Sequence, residues 1–504
     1  MRSFRAPAVL YVLLLVLCSL LIVGCTGLSK PTGKQTTDHR VSVDPDRVFR
    51  DIPSGERWLQ HLRQDLLPFW TMPAALEYPT YRCNDGSLVD PDNLCQELRD
   101  PVPGIVWLER DFVRAKARQV FAYGIAFHLT GDSQLLDHMK KGVEILRDAI
   151  DRDAGGVISY WQRQADGSWS REPSAPQRRS QDMAYALSGL GFYYYLTRDE
   201  TVLNEVLAIK DYIFQTYEDP EWGLLGWVKE ASPDGDQPDQ RELVAQLDQV
   251  YGYMLWLTPT LPTEALRKRW YDDLTRLANL MIEQFYSPRV NLFWGAVTRP
   301  AQKRLGEDHV DFGHSVKTLW LIYQIGKHTN NLAFTAFASE RAARILESAF
   351  DSETQTWNRR ILPDGSIDKD KEWWIQAELN QTSATLALLD PAYARYLPTT
   401  YRFWLEVMVD KQHGEIWHMV SAETNLPVSG FPKQHSWKNA FHSFEHNLVA
   451  YLTAQELHDL PIDLHFAFES LPAKERIHPY LFQAKLLNLD SSGPVQTATF
   501  VDLR

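Results

Sequence analysis

The chain has 504 residues, 44% of them hydrophobic and 23% charged, and carries a formal net charge of −13 at pH 7. That length allows one large core or two smaller ones. The acidic balance argues against nucleic acid or an anionic membrane surface as an electrostatic partner.

Arg2 and Arg5 precede an apolar run from Ala8 to Val23 that ends in Gly24-Cys25. A charged start, a short apolar core and small residues at the cut are the features of a secretory signal, here residues 1–24. An uncleaved anchor helix is the competing reading, but the run is short for a span of about 20 residues. Ile22-Val23-Gly24-Cys25 resembles the bacterial lipobox. That resemblance implies lipidation of Cys25, a mature chain that begins there and attachment to a membrane through the lipid. Thr26 in the next position implies an outer-membrane or periplasmic address if the host is Gram-negative. Residues 25–50 are polar and read as a tether. Cys18 leaves with the signal, while Cys83 and Cys95 bracket a turn-rich stretch from Asn84-Asp85-Gly86 to Asp90-Pro91-Asp92-Asn93. In an oxidising compartment two such cysteines most simply form a disulfide. A calcium loop from Asp85, Asp90 and Asp92 is the alternative, without the spacing of an EF-hand.

Beyond the tether, strand signals are sparse. Apolar residues recur at three- and four-residue spacing in about a dozen segments, as amphipathic helices require. They begin near Glu56, Glu109, Ser133, Gln181, Thr201, Glu242, Pro262, Phe312, Asn331, Trp374, Pro391 and His442. Thr130-Gly131-Asp132 and Thr258-Pro259-Thr260 separate neighbouring pairs. Gly155-Gly156 to Trp169 and Asp364-Gly365 read as hairpins or long loops. Helices rich in aromatic and polar residues start near 109, 181, 242, 312, 374 and 442, a repeat of about 60 to 73 residues. A plainer amphipathic helix follows each, and the segment near Glu56 completes the last pair. Six such hairpins predict an all-α fold, an (α/α)6 barrel spanning residues 51–460. An open solenoid would need near-identical repeats and capping units. Residues 461–504 form a C-terminal extension expected to wrap the outside.

Five motifs lie at the starts of the predicted inner helices: Ala117-Arg118-Gln119-Val120-Phe121, Asp182-Met183-Ala184-Tyr185, Asp311-Phe312-Gly313-His314-Ser315-Val316, Lys371-Glu372-Trp373-Trp374-Ile375-Gln376-Ala377-Glu378 and Trp437-Lys438-Asn439-Ala440-Phe441-His442. In order and spacing they resemble those of the N-acylglucosamine 2-epimerase and cellobiose 2-epimerase family, from about Glu56 to Leu457. The resemblance implies proton transfer at C2 of a mono- or oligosaccharide, by 2-epimerisation or aldose–ketose isomerisation, with no cofactor and no metal. Removing and returning that proton calls for two groups that exchange protons near neutral pH, and histidine, with an ordinary pKa of about 6.5, suits the task. The implied catalytic pair is His314 and His442. Arg118 would hydrogen-bond a hydroxyl or the developing enediolate. Trp373 and Trp374 would wall the ring, and Glu378 would orient substrate or a histidine. Asp182, Asp248, Trp437 and Lys438 complete the expected substrate-binding set. The 17 tryptophans fit both sugar stacking and the filling of helical cores.

The sequence departs from the family at two places. The family has a glutamate three residues after the motif histidine, where this chain has Lys317. Residues i and i+3 share a helix face, so an ammonium beside His314 would lower its pKa. The third inner helix carries Gln246, Asp248 and Tyr251 where the family has His-x-His-x-x-Glu. Two other functions therefore stay open. One is a glycoside hydrolase or lyase on the same toroid, drawing on Asp248 with Glu378 or Asp182; inverting hydrolysis needs carboxyl groups about 6.5–9.5 Å apart. The other is a non-catalytic surface glycan-binding lipoprotein. His442, Glu445 and His446 also fit an inverted zinc-protease spacing.

Overall fold

Helix boundaries follow the sequence punctuation closely. A computed structural model describes residues 45–298 and 303–504. The signal, the lipidation candidate Cys25 and the tether up to residue 44 lie outside the described residues. Residues Pro45–Arg50, expected to be tether, form a short helix instead.

Helix α1 spans Gly55–His61. Five helix pairs follow: α2 Val113–Thr130 and α3 Ser133–Asp148, α4 Ser180–Thr197 and α5 Glu200–Tyr217, α6 Leu243–Gln249 and α7 Glu264–Leu280, α8 Phe312–Thr329 and α9 Leu332–Ala349, α10 Trp373–Ala387 and α11 Leu397–Phe403. The last inner helix, α12, spans Phe441–Leu457. The turn between α2 and α3 shows how local chemistry sets the boundaries. Gly131 takes φ +70°, which costs glycine little, and Asp132 caps α3 by accepting the Gln134 N–H at 2.9 Å.

Inner and outer helices differ in what they bury. All residues of α4 are buried, whereas α3 buries only a stripe of Leu135, Leu136, Met139, Gly142, Val143 and Leu146. A helix covered on every side belongs to the inner ring, and a one-sided stripe to the outer. Neighbouring inner helices pack in sequence, and α12 returns to pack on α2, closing the ring. It also packs on α1, so the segment near Glu56 supplies the missing outer partner. The chain is an all-α (α/α)6 barrel. Its sheets are small, including an antiparallel three-strander of Arg110–Phe112, Tyr160–Arg163 and Trp169–Glu172. Cys83 and Cys95 form the expected disulfide, with Cα atoms 6.0 Å apart. Asp85 and Asp90 accept hydrogen bonds from Ser87 and Asp92 within the loop they bracket. Among the described residues no helix is long and apolar enough to cross a membrane.

The C-terminal extension corrects an expectation. It does not only wrap the outside. Strands Ile462–Phe466, Gln496–Val501 and Lys485–Asp490 form an antiparallel sheet packed where α2 and α4 end. Between the strands, Tyr480, Leu481 and Phe482 are fully buried, and the Tyr480 ring lies within 6.3 Å of Phe121, Phe192 and Trp256. The apolar surface inside the toroid would otherwise face water, and this segment covers it.

Candidate active site

The inner helices begin at the opposite end of the barrel, around a cavity of about 590 Å³. That size suits a small ligand. Arg118, Asp248, His314, Trp373, Trp374, Trp437 and His442 all line it, brought together from five inner-helix segments 60 or more residues apart. A second groove of about 480 Å³ outside the barrel, beside Trp169, contains no histidine. Its Arg110 and Asp111 are tied to Asp234 and Lys116.

His314 is held by its own helix cap. Asp311 accepts the His314 backbone N–H at 2.7 Å, as an N-cap should, and its other oxygen takes the ring Nδ1 at 2.7 Å. With Nδ1 engaged, Nε2 is left for the cavity. Gly313 completes the arrangement. A Cβ there would lie 2.6 Å from the Trp374 ring, so glycine lets that indole lie against the start of α8, with its centroid 4.5 Å from the His314 ring. Trp374 is fixed by donating Nε1–H to Glu372 at 2.9 Å, and Glu372 also accepts from Arg359. Burial lowers the His314 pKa from 6.5, Asp311 opposes, and Lys317 adds a small push in the same direction as burial. Lys317 does sit near His314, as expected, but it is directed at Asp248, 3.6 Å away. The role expected of a glutamate at position 317 falls to Asp311, on the other side of the histidine.

His442 lines the same cavity from the start of α12. Its Nδ1 lies 3.3 Å from Glu378 and 3.3 Å from the Tyr251 hydroxyl. Its ring sits 6.1 Å from both Trp373 and Trp374. Burial holds its pKa well below 6.5, and the cations Lys317 and Arg118 lower it further. Both histidines are thus neutral at pH 7. Burial drives Glu378 well above the ordinary carboxylate range; Lys317 opposes and Glu445 adds. Beneath His442, Glu445 accepts from Tyr251 and, at 2.6 Å, from Tyr480 of the extension.

Three expected substrate-binding residues do not line the cavity. Asp182 is paired with Arg114 at 2.9 Å. Glu378 is fully buried behind His442. Lys438 forms a fully buried pair with Glu415 at 3.0 Å, and Trp70 and Ser443 also donate to that glutamate. Asp248 does line the cavity, yet one of its oxygens accepts from Gln181 at 2.6 Å and Lys317 neighbours the other. The carboxylate pair weighed for hydrolysis therefore does not meet across the cavity. His446 turns away from His442, packing on Trp404 at 4.2 Å and accepting from Asn380. The close grouping of ligand-type side chains in this region is Glu378, His442 and Glu445, which leaves out half of the zinc spacing.

Sequence reasoning gave Asp311 and Tyr480 no site role, named Glu445 only in the zinc spacing and named Tyr251 only as a departure from the family motif. Asp311 was legible in principle, because an aspartate three residues before a helical histidine is both a cap and a neighbour. The others rest on long-range packing.

No protein-family profile matches the chain. It is 20% identical over 346 residues to a cellobiose 2-epimerase of Bacteroides fragilis, covering 65% of this chain and 84% of that one. The fold matches a cellobiose 2-epimerase of Spirochaeta thermophila with a TM-score of 0.63 at 19% identity, over 82% of this chain and 99% of that one. It matches a D-mannose isomerase with a TM-score of 0.62 at 16% identity, over 79% of this chain and 97% of the other. About a fifth of the chain thus lies beyond the shared barrel. In sequence and in fold the chain is thus similar, at a distance, to cellobiose 2-epimerases.

Proposed function

We propose that the protein is a sugar isomerase that moves the proton at C2 of an aldose, by 2-epimerisation or aldose–ketose isomerisation. The observation that carries this reading is the histidine pair. Two imidazoles, both neutral at pH 7, line one aromatic-walled cavity, and each has a carboxyl group at Nδ1. A neutral imidazole can take a proton, and the imidazolium so formed can return one. In the forward step one histidine takes the C2 proton and the electron pair forms the enediolate. The imidazolium so formed returns its proton at C1 in isomerisation; in epimerisation that proton passes through solvent to the other imidazole, which, now protonated, delivers it to the opposite face of C2. Arg118 contributes N–H donors to the oxyanion: it lines the cavity, donates to the Trp437 carbonyl at 2.7 Å and neighbours Tyr185, and its Nε has no partner among the described residues. Trp373 and Trp374 supply faces for the sugar ring.

The test is exchange in deuterated buffer, followed by proton NMR over a panel of aldoses and oligosaccharides. Deuterium entering C2 in the wild type, and lost in both His314→Ala and His442→Ala, is the expected result. Exchange that survives both substitutions would sink the assignment, and sugar binding without exchange would favour a glycan-binding protein.

The N-terminal sequence supports a second proposal, that the enzyme is exported and lipid-anchored through Cys25. Mass spectrometry of the mature N-terminus is expected to find an acylated Cys25, with membrane attachment lost in Cys25→Ala. An unmodified, uncleaved Met1 would refute it.

A further inference from the structure

The cavity floor commits its carboxylates to partners and leaves its cations incomplete. Around the wall, Asp311 holds His314, Glu372 holds Arg359 and Trp374, and Asp236 holds Arg179 at 2.9 Å. On the floor, Asp248 accepts from Gln181. The two floor cations differ. Lys317, 3% exposed, has an ion pair to Asp248 at 3.6 Å, beyond hydrogen-bond reach, and lies over the Tyr251 ring at 4.5 Å. Arg118, 4% exposed, stacks on Tyr185 at 3.7 Å, and its Nε is buried with no partner among the described residues. Although burial opposes it, Asp248 keeps the Lys317 ammonium charged. Asp248 is thus the carboxylate in ion-pair reach of Lys317, while burial favours the protonated form of Glu378. Three further carboxylates line the cavity: Glu242, which accepts from Gln240 and lies 3.8 Å from His309, and Glu307 and the exposed Asp308 on the loop that precedes α8. Asp308 is open to water, where its field is screened.

A buried cation with unused donors is costly unless something completes its shell. We propose that the substrate is an acidic sugar, whose anionic substituent is held between Lys317 and Arg118. The inference rests on the sugar-isomerase reading and narrows its substrate class. On this floor Lys317 and Arg118 set two cations beside the Asp248 carboxylate. A carboxylate, as in a uronic acid, and a phosphate ester offer the same chemistry to the two cations.

Calorimetric titration of the full chain with glucose, glucuronate and glucose 6-phosphate separates these cases. At least one acidic sugar is expected to bind about tenfold or more tightly than glucose. The two acidic arms identify the substituent. Lys317→Met should abolish the preference. Because that change leaves Asp248 without its cation and threatens folding, Asp248→Asn provides a second arm with the opposite sign. The bound anion then takes over from Asp248 in stabilising the Lys317 ammonium, so removing the competing carboxylate should tighten acidic-sugar binding several-fold. Equal binding of all three sugars, absence of acidic-sugar binding at millimolar concentration, or no gain in Asp248→Asn overturns the proposal. If the cations serve only the enediolate, Lys317→Met lowers the exchange rate and leaves the binding constants unchanged, which also overturns it. Deuterium exchange of neutral sugars without acidic preference would refute this inference and spare the isomerase. Acidic preference without exchange on any sugar would do the reverse.

Discussion

Asp311 grips His314 twice, taking its backbone N–H with one oxygen and its ring Nδ1 with the other, both at 2.7 Å. Cap and orienting group are one side chain, so the helix start and the presentation of Nε2 cannot be adjusted separately. Asparagine caps helices as well as aspartate does, but its neutral amide neither fixes the Nδ1–H tautomer nor stabilises an imidazolium. Asp311→Asn is therefore expected to change thermal stability little and to lower the C2 exchange rate about 10²-fold. Nitrogen chemical shifts of the His314 ring should show a mixed tautomer in the variant. An unchanged tautomer with full activity would remove Asp311 from its positioning role.

The pH dependence follows from the direction of the histidine shifts. His314 is lowered from 6.5 and His442 lies well below it, burial being the main cause of both. A depressed histidine remains neutral as pH falls past 6.5, so the acid limb of the exchange rate should have its midpoint below 6.5. A midpoint at or above that value would contradict the assignment of both residues.

Glu445 gives a stability prediction of the opposite sense. Burial raises its pKa to about 7 from 4.5, in spite of hydrogen bonds from Tyr251 and Tyr480. Between those values the native state binds more protons than the unfolded chain, so stability falls as pH rises. The contribution is complete below pH 4.5 and lost as pH rises through 7. Urea unfolding of wild type and Glu445→Gln from pH 4.5 to 8 should show the wild type losing stability relative to the variant across that window. A constant difference would mean that Glu445 does not titrate there.

Lys438 belongs to the motif yet serves the scaffold. Lys438→Met would strand the fully buried Glu415 without its cation, at a cost of about 3–5 kcal/mol. Since Lys438 does not line the cavity, the folded fraction should bind sugar with wild-type affinity. Weaker binding with intact stability would restore the substrate-binding role that the motif suggests.

The extension offers a test of its own through Tyr480. Tyr480→Phe removes one hydrogen bond to a buried carboxyl, worth about 1–3 kcal/mol. The Glu445 pKa should then rise further, moving the stability loss described above to higher pH. An unshifted profile would show that the tail covers the barrel without tuning its floor.

How much of this was legible follows from the range of the forces involved. The helices begin within a few residues of the positions read from periodicity and caps, because those signals are local: a stripe every three to four residues, Gly131 at a turn, Asp132 at a cap. His314, His442, Trp374 and Arg118 could be placed at one mouth by the same logic, since all stand near the starts of inner helices. Partner choice was another matter. Lys317 faced two candidates from sequence, His314 three residues away and everything on other helices, and tertiary packing turned it to Asp248. Lys438 meets Glu415, and Glu445 meets Tyr480 from a tail expected outside the barrel. Sequence spacing fixes which residues share a helix face, but the rotation and tilt of each helix within the ring decide which faces meet. Those are set by the packing of the whole toroid, so the ion pairs that tune the site exist only once the ring has closed.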